Sequence, residues 1–206
     1  MVFASREDAG RRLARLLQDR GVQADLVLGL PRGGVVVAAE VARVLRLPLD
    51  VLIVRKIGHP SQREFAVGAL AENGVVVLDP KVVAPAMYAE LQEVIQEEEK
   101  RLQGYQTRFH PGGLCSLEGK AVLLVDDGLA TGATTEAAVL SARKQKARRI
   151  TVAAPVASVN AVQRLEQAAD AVVALCVDPD FDAVGRYYDV FSQTTDEEVL
   201  ELLKAA

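Results

Sequence analysis

Residues 122–137 read VLLVDDGLATGATTEA. Four aliphatic residues run into two adjacent carboxylates, Asp126 and Asp127; a loop nearly bare of side chains follows, then a helix-forming run. An uninterrupted apolar run bounded in this way predicts a buried strand over 121–126. In an open parallel sheet, ligands sit beyond the carboxyl ends of the strands, and the two aspartates stand at such an end. A helix beginning near Thr134 would offer unpaired N–H groups and the positive end of its dipole. Gly132 and Ala133 leave room for a ligand against backbone, while Thr131 and Thr134 add hydroxyl donors. These features describe a phosphate cradle beside two carboxylates. The carboxylates can accept hydrogen bonds from sugar hydroxyls or help hold Mg²⁺ through its waters. A phosphorylated sugar with a free vicinal diol suits both halves. Competing phosphate motifs fail, because the loop has no Gly-Lys-Ser/Thr and no G-x-G-x-x-G.

Working outward, the same apolar runs recur. DLVLGL (25–30), DVLIVRK (50–56), VVVLD (75–79), ITVAAPVA (150–157) and AVVALCV (171–177) read as strands. Helical patterns cover Ser5 to Arg20, the run after PRGG, 135–147 and 160–169. Ser5 suits an N-cap and Gly21 a stop. Strands apolar throughout and alternating with helices predict an α/β fold, a central parallel sheet with helices on both faces. Without a repeat or low-complexity linker, one domain over 1–206 is expected. Residues 57–74 are polar, contain glycine and form a candidate flap. Residues 82–109 predict one long helix with a stripe of Ala84, Tyr88, Leu91, Ile95, Glu98, Leu102, Tyr105 and Phe109, interrupted by the charged Glu98. That stripe packs on the chain's own core or on a second copy, so a homodimer is one expectation. Residues 178–206 form a hood and C-terminal tail.

Composition narrows the function classes. Half of the 206 residues are hydrophobic and the net charge is −4, with no Lys/Arg block, which disfavours a broad nucleic-acid surface. No apolar run reaches the roughly 18 residues of a membrane helix, and the N-terminus MVFASREDAGRRL is charged where a signal peptide is apolar. A cytoplasmic protein is expected. Two distant cysteines do not form a disulfide framework, and Cys176, in an apolar run, reads as a core residue. Only two histidines are present, which argues against a His-rich zinc site.

The 122–134 segment resembles the signature of the type I phosphoribosyltransferases: an aliphatic strand, two acidic residues and a loop ending in Ser/Thr-Gly-x-Ser/Thr. The resemblance extends from about Asp25 to Phe191. It implies that Asp126 and Asp127 hold the ribose hydroxyls of phosphoribosyl pyrophosphate, with indirect Mg²⁺ contacts. Ala130, Thr131, Gly132, Ala133 and Thr134 would hold the 5-phosphate. LPRGG (30–34) matches the family's pyrophosphate loop, which implicates Arg32, Gly33 and Gly34. VRKIGHP (54–60) resembles the Arg-Lys-x-Gly segment of the adenine enzymes, which places Arg55 and Lys56 at the pyrophosphate and leads into a mobile flap. Arg63 and Glu64 are the flap residues expected to visit the site, with His59 a weaker candidate. DPDFDAVGRYYDVF (178–191) gathers Phe181, Tyr187, Tyr188 and Phe191 in a chain that is 4% aromatic. Phe181, Tyr187 and Tyr188 would form a base-binding hood by stacking.

The implied activity is Mg-dependent transfer of the phosphoribosyl group to a nitrogen nucleophile, a nucleobase by analogy, with release of pyrophosphate. The nucleophile stays open. Ala130 matches the adenine type, PRGG is closer to the xanthine–guanine type, and ITVAAPVA lacks the Lys that reads a 6-oxopurine. A second reading is a regulator of the same fold that senses phosphoribosyl pyrophosphate and binds RNA or DNA. A third is an idle scaffold assembled through the 82–109 helix.

Overall fold

The computed structural model describes residues 2–206. Five parallel strands form the central sheet: β1 (Leu26–Gly29), β2 (Leu49–Val51), β6 (Ala121–Val125), β7 (Arg149–Ser158) and β8 (Ala171–Asp178), in the order β2-β1-β6-β7-β8. Strand β6 explains its own sequence. Val122 and Leu124 point into a core layer shared with α4 (Ala133–Lys144) and α5 (Val159–Leu165). Leu123 and Val125 point into the opposite layer, shared with α1 (Arg6–Asp19) and α2 (Gly33–Leu45). Successive strand residues face opposite sides, so a strand covered twice must be apolar at every position.

The DVLIVRK segment is not one strand. The chain leaves the parallel sheet after Val51 and starts β3 (Val54–His59), which pairs antiparallel with β4 (Gln62–Ala71). Strand β4 in turn pairs with β5 (Val75–Leu78), so VVVL belongs to this second, three-stranded sheet. The split is invisible in an apolar run, because Val51, Leu52, Ile53 and Ile57 are buried in either sheet. The candidate flap is therefore mostly an ordered hairpin, its outer half exposed and its base in the core.

The long helix is also shorter than predicted. Ala84 is extended, as a residue before proline tends to be, and a 3₁₀ turn over Pro85–Met87 precedes α3 (Tyr88–Phe109). Its stripe is shifted: Leu91, Val94, Glu98, Leu102 and Phe109 are buried, while Tyr88 is exposed. Leu91, Val94, Leu102 and Phe109 pack on Ile57, Val67 and Leu70 of the hairpin and on Val199 of α6 (Asp196–Lys204), a helix within the segment expected as a hood and C-terminal tail. Thr195 caps α6 through a reciprocal pair with Glu198. Cys176 is only partly buried, against the cluster of Phe3, Ala9, Val156, Tyr187 and Tyr188. Among the described residues no helix is long and apolar enough to cross a membrane.

Candidate active site

The carboxyl ends of β1 and β6, the start of β3 and the first turn of α4 enclose a cleft of about 270 Å³. It is lined by Asp126, Asp127, Gly128, Ala130, Thr131, Gly132 and Thr134 from the signature, with Arg32, Gly33 and Lys56 from the neighbouring turns. Gly132 is the N-cap of α4 and has φ 75°, a left-handed conformation that favours glycine. That turn carries the loop from the strand end into the helix and puts the first helical turn at the cleft. The Ala133 N–H donates to Thr131 Oγ1 at 3.4 Å, and Ala133 is not itself among the lining residues.

The two glycines after Arg32 have a use not foreseen from sequence. A Cβ on Gly33 would lie 2.1 Å from Asp127 Oδ2, and one on Gly34 would lie 2.9 Å from Asp126 Oδ1. The βα turn is thus pressed against the acidic pair, which only a bare backbone allows. The peptide bond between Pro31 and Arg32 in this turn is cis. Arg32 lines the cleft, and its Nη1 lies 3.6 Å from Asp196 at the start of α6.

The aspartates are not equivalent. Asp126 Oδ1 accepts from the Asp127 N–H at 2.9 Å. Burial pushes the Asp126 carboxyl well above the usual carboxylate range and the charge of Asp127 adds to this, opposed by the Asp127 N–H and by Lys56. Asp127 instead has a cation of its own: Arg6 Nε donates to its Oδ2 at 2.7 Å. The Tyr188 hydroxyl donates to the Asp127 carbonyl at 2.5 Å. Burial, followed by the Asp127 charge, holds that phenol above its ordinary pKa, so it stays a donor.

Arg55 and Lys56 part company. Lys56 lines the cleft, whereas Arg55 does not and instead binds the buried Glu98 at 2.8 Å beneath the Tyr105 ring. Adjacent strand residues face opposite ways. Glu98, the charged break in the helical stripe, is thereby explained, with Arg101 as its second partner at 2.5 Å. Glu64 is exposed on the hairpin and outside the cleft lining, Arg63 pairs with Glu97 at 3.3 Å, and His59 accepts from the Ser61 N–H.

The aromatic hood is also placed otherwise than expected. Tyr187 and Tyr188 are buried in the cluster around Phe3. Tyr187 donates to Asp178 and stacks on Phe181; Tyr188 stacks on Phe191. None of the four lines the cleft. Their faces are spent on pinning the C-terminal segment to the N-terminus, and the hood residue that does reach the cleft is Val184, packed over Gly128. Arg6 is the residue sequence reasoning missed. A signal existed, since a cation at the first position of a helix opposes the dipole and needs a partner.

A parallel sheet carrying this acidic strand end, a small-residue loop at a helix start and a small antiparallel sheet beside it defines a class. The chain belongs to the phosphoribosyl transferase domain family, whose model matches residues 4–190. A solved protein from Thermus thermophilus, TT1426, is 46% identical, with 98% of each chain covered and a TM-score of 0.83. A purine phosphoribosyltransferase from Pyrococcus horikoshii, at 17% identity and TM-score 0.51 over 86% of this chain and 88% of its own, shares the fold. A Mycobacterium tuberculosis H37Rv protein, provisionally named a phosphoribosyl transferase, is 44% identical over 100% of this chain and 47% of its own length. The chain thus spans about half the length of the curated relatives it matches.

Proposed function

We propose that the chain transfers the 5-phosphoribosyl group of phosphoribosyl pyrophosphate to a nitrogen nucleophile, a nucleobase in the first instance, with release of pyrophosphate. The observation that carries this reading is the cleft in which an acidic pair, a small-residue loop at a helix start and two basic residues, Lys56 and Arg32, converge. The loop from Ala130 to Thr134 takes the 5-phosphate with N–H groups and hydroxyls. Asp126 and Asp127 accept hydrogen bonds from the ribose hydroxyls. Arg32, Lys56 and the Gly33–Gly34 turn take the pyrophosphate, while Arg55 holds the hairpin to α3. Val184 and Gly128 flank the acceptor.

The nucleophile's nitrogen attacks the anomeric carbon as the bond to pyrophosphate breaks, through an oxocarbenium-like state. No covalent bond to the protein is required. The protein's share is to align two substrates and balance charge on the leaving group. Among the described residues no cluster of three or more His, Cys, Asp or Glu is placed to hold a metal alone. The carboxylate donors of the acidic pair nevertheless suit Mg²⁺ approached through its waters, with pyrophosphate supplying the remaining oxygens. When bound, Mg²⁺ would neutralise the leaving group. The setting proposed is the cytoplasm.

Thermal unfolding with Mg²⁺ plus phosphoribosyl pyrophosphate, against Mg²⁺ alone, tests the reading. Ligand at about one hundred times its dissociation constant adds about 2.7 kcal/mol of stability. A rise in Tm that Asp127→Asn abolishes is expected. No rise at millimolar ligand overturns the reading.

A further inference from the structure

Arg6 stands 121 positions from Asp127 in sequence, yet the two side chains meet at 2.7 Å and are only 11% and 16% exposed. The same guanidinium donates from Nη1 to the Ser192 carbonyl at 2.7 Å and lies 3.9 Å over the Phe191 ring. On its other side is the bare Gly33 backbone, where a Cβ would come within 2.7 Å of Nε. The main chain of Asp127 is held by Tyr188, whose ring contacts Phe3. Phe3 in turn exchanges backbone hydrogen bonds with Tyr187 and Asp189. Both ends of one aspartate are therefore gripped by residues 3–6 and 187–192, two segments far apart in sequence laid against each other.

As a device for stability this is poor. A cation at the first helical position opposes the dipole of α1, and a desolvated ion pair gains little over apolar packing. Both costs are incurred at the cleft. What the pair accomplishes there is directional. With Oδ2 committed to Arg6, Asp127 presents Oδ1 to a ligand in one orientation, and its charge is balanced where Asp126 stands next to it.

We propose that Arg6 is a positioning residue for sugar recognition: it aims Asp127 at a ribose hydroxyl and makes that recognition depend on the 187–192 segment. This rests on the ribose-diol reading of the acidic pair. The test uses ribose 5-phosphate and 2-deoxyribose 5-phosphate, titrated into the full chain. Wild type is expected to prefer the ribose sugar at least about tenfold, the scale of one well-formed hydrogen bond to a charged group. Arg6→Gln is expected to bring that ratio down to about two, with the 2-deoxy affinity changed less than about threefold. Adding Arg6→Gln to Asp127→Asn is expected to cause no further loss of ratio. A merely structural Arg6 would lower both affinities together or leave the ratio intact, and either result overturns the proposal. Additive losses in the double variant overturn it as well. If Arg6→Gln does not fold, Arg6→Lys decides by the same ratio: it keeps the charge and loses the fork, so a fall supports the proposal and an unchanged ratio overturns it. Wild type that binds neither sugar phosphate overturns the functional reading itself, an outcome distinct from a ratio that ignores Arg6.

Discussion

Asp126 is held against two unfavourable terms, burial and a like charge at the next residue. A carboxyl raised in this way costs folding energy from the pH at which the unfolded chain ionises upward, and the cost is complete once pH passes the folded value. Asp126→Asn removes that cost and keeps an oxygen for the Asp127 N–H. The variant is expected to be more stable at pH 7 by on the order of 1 kcal/mol, a Tm rise of about 2–4 °C, while its gain in Tm from phosphoribosyl pyrophosphate disappears. A fall in Tm would show that the acidic pair is not under strain. In the second sheet, Arg55 and Lys56 of β3 divide two tasks by parity. Lys56→Ala is expected to weaken pyrophosphate binding with a smaller loss of stability than Arg55→Ala, since its charge only partly offsets the burial of Asp126. Arg55→Ala is expected to cost about 1–2 kcal/mol, short of the roughly 3–5 for a fully buried pair because Arg101 still reaches Glu98. Denaturant unfolding beside ligand titration separates the two, and the reverse pattern would reverse the assignment. The sequence pointed to Arg55 and Lys56 together, and only Lys56 lines the cleft. Which of them enters the cleft depended on where β3 begins, and a continuous apolar run does not show that.

At the scale of elements, the turn from β1 to α2 and the turn from β6 to α4 are built as a pair. The first supplies bare backbone where the second supplies carboxylates. Gly33→Ala would put a methyl group 2.1 Å from Asp127 Oδ2 and 2.7 Å from Arg6 Nε. We expect it to dislodge the acid and reduce ribose 5-phosphate affinity by at least tenfold while the far-UV circular dichroism is retained. Wild-type affinity in this variant would mean the turn yields without disturbing Asp127. The sequence showed two glycines at a strand end and suggested an anion facing them. Their contact with the acidic pair, between segments more than ninety residues apart, is a product of β1 and β6 lying side by side. The aromatic cluster carries the same lesson. Four rings within eleven positions mark a packed patch, but stacking on a ligand and stacking on each other leave identical traces in sequence.

The whole molecule is two sheets joined through a buried polar pin. His110, after α3, lies between Asp50 of the parallel sheet and Glu72 at the end of the hairpin, with each ring nitrogen 3.4 Å from a carboxylate oxygen. Burial pushes the imidazole down, but the carboxylates of Asp50 and Glu72 on either side more than reverse this and raise it to about 9. A folded pKa above the unfolded 6.5 contributes stability that is fully present below about 6.5 and is lost as pH rises through about 9. Up to about 3 kcal/mol is expected to go over that interval, visible as a falling denaturation midpoint that His110→Gln flattens. A wild-type profile level from pH 6.5 to 9.5 would refute the pin.

By itself the sequence determined the parallel sheet, the order of its helices and the acidic strand end with its small-residue loop after β6, because each is written in local periodicity and in contiguous residues. Tertiary structure alone decided that Arg6 reaches Asp127, that Arg55 turns to Glu98, that the tyrosines are spent in the core and that a second sheet begins at Val54. Those are pairings across long stretches of chain. They are chosen by which surfaces the fold brings together and by the need of each buried charge for a partner, and neither is a property of any one segment.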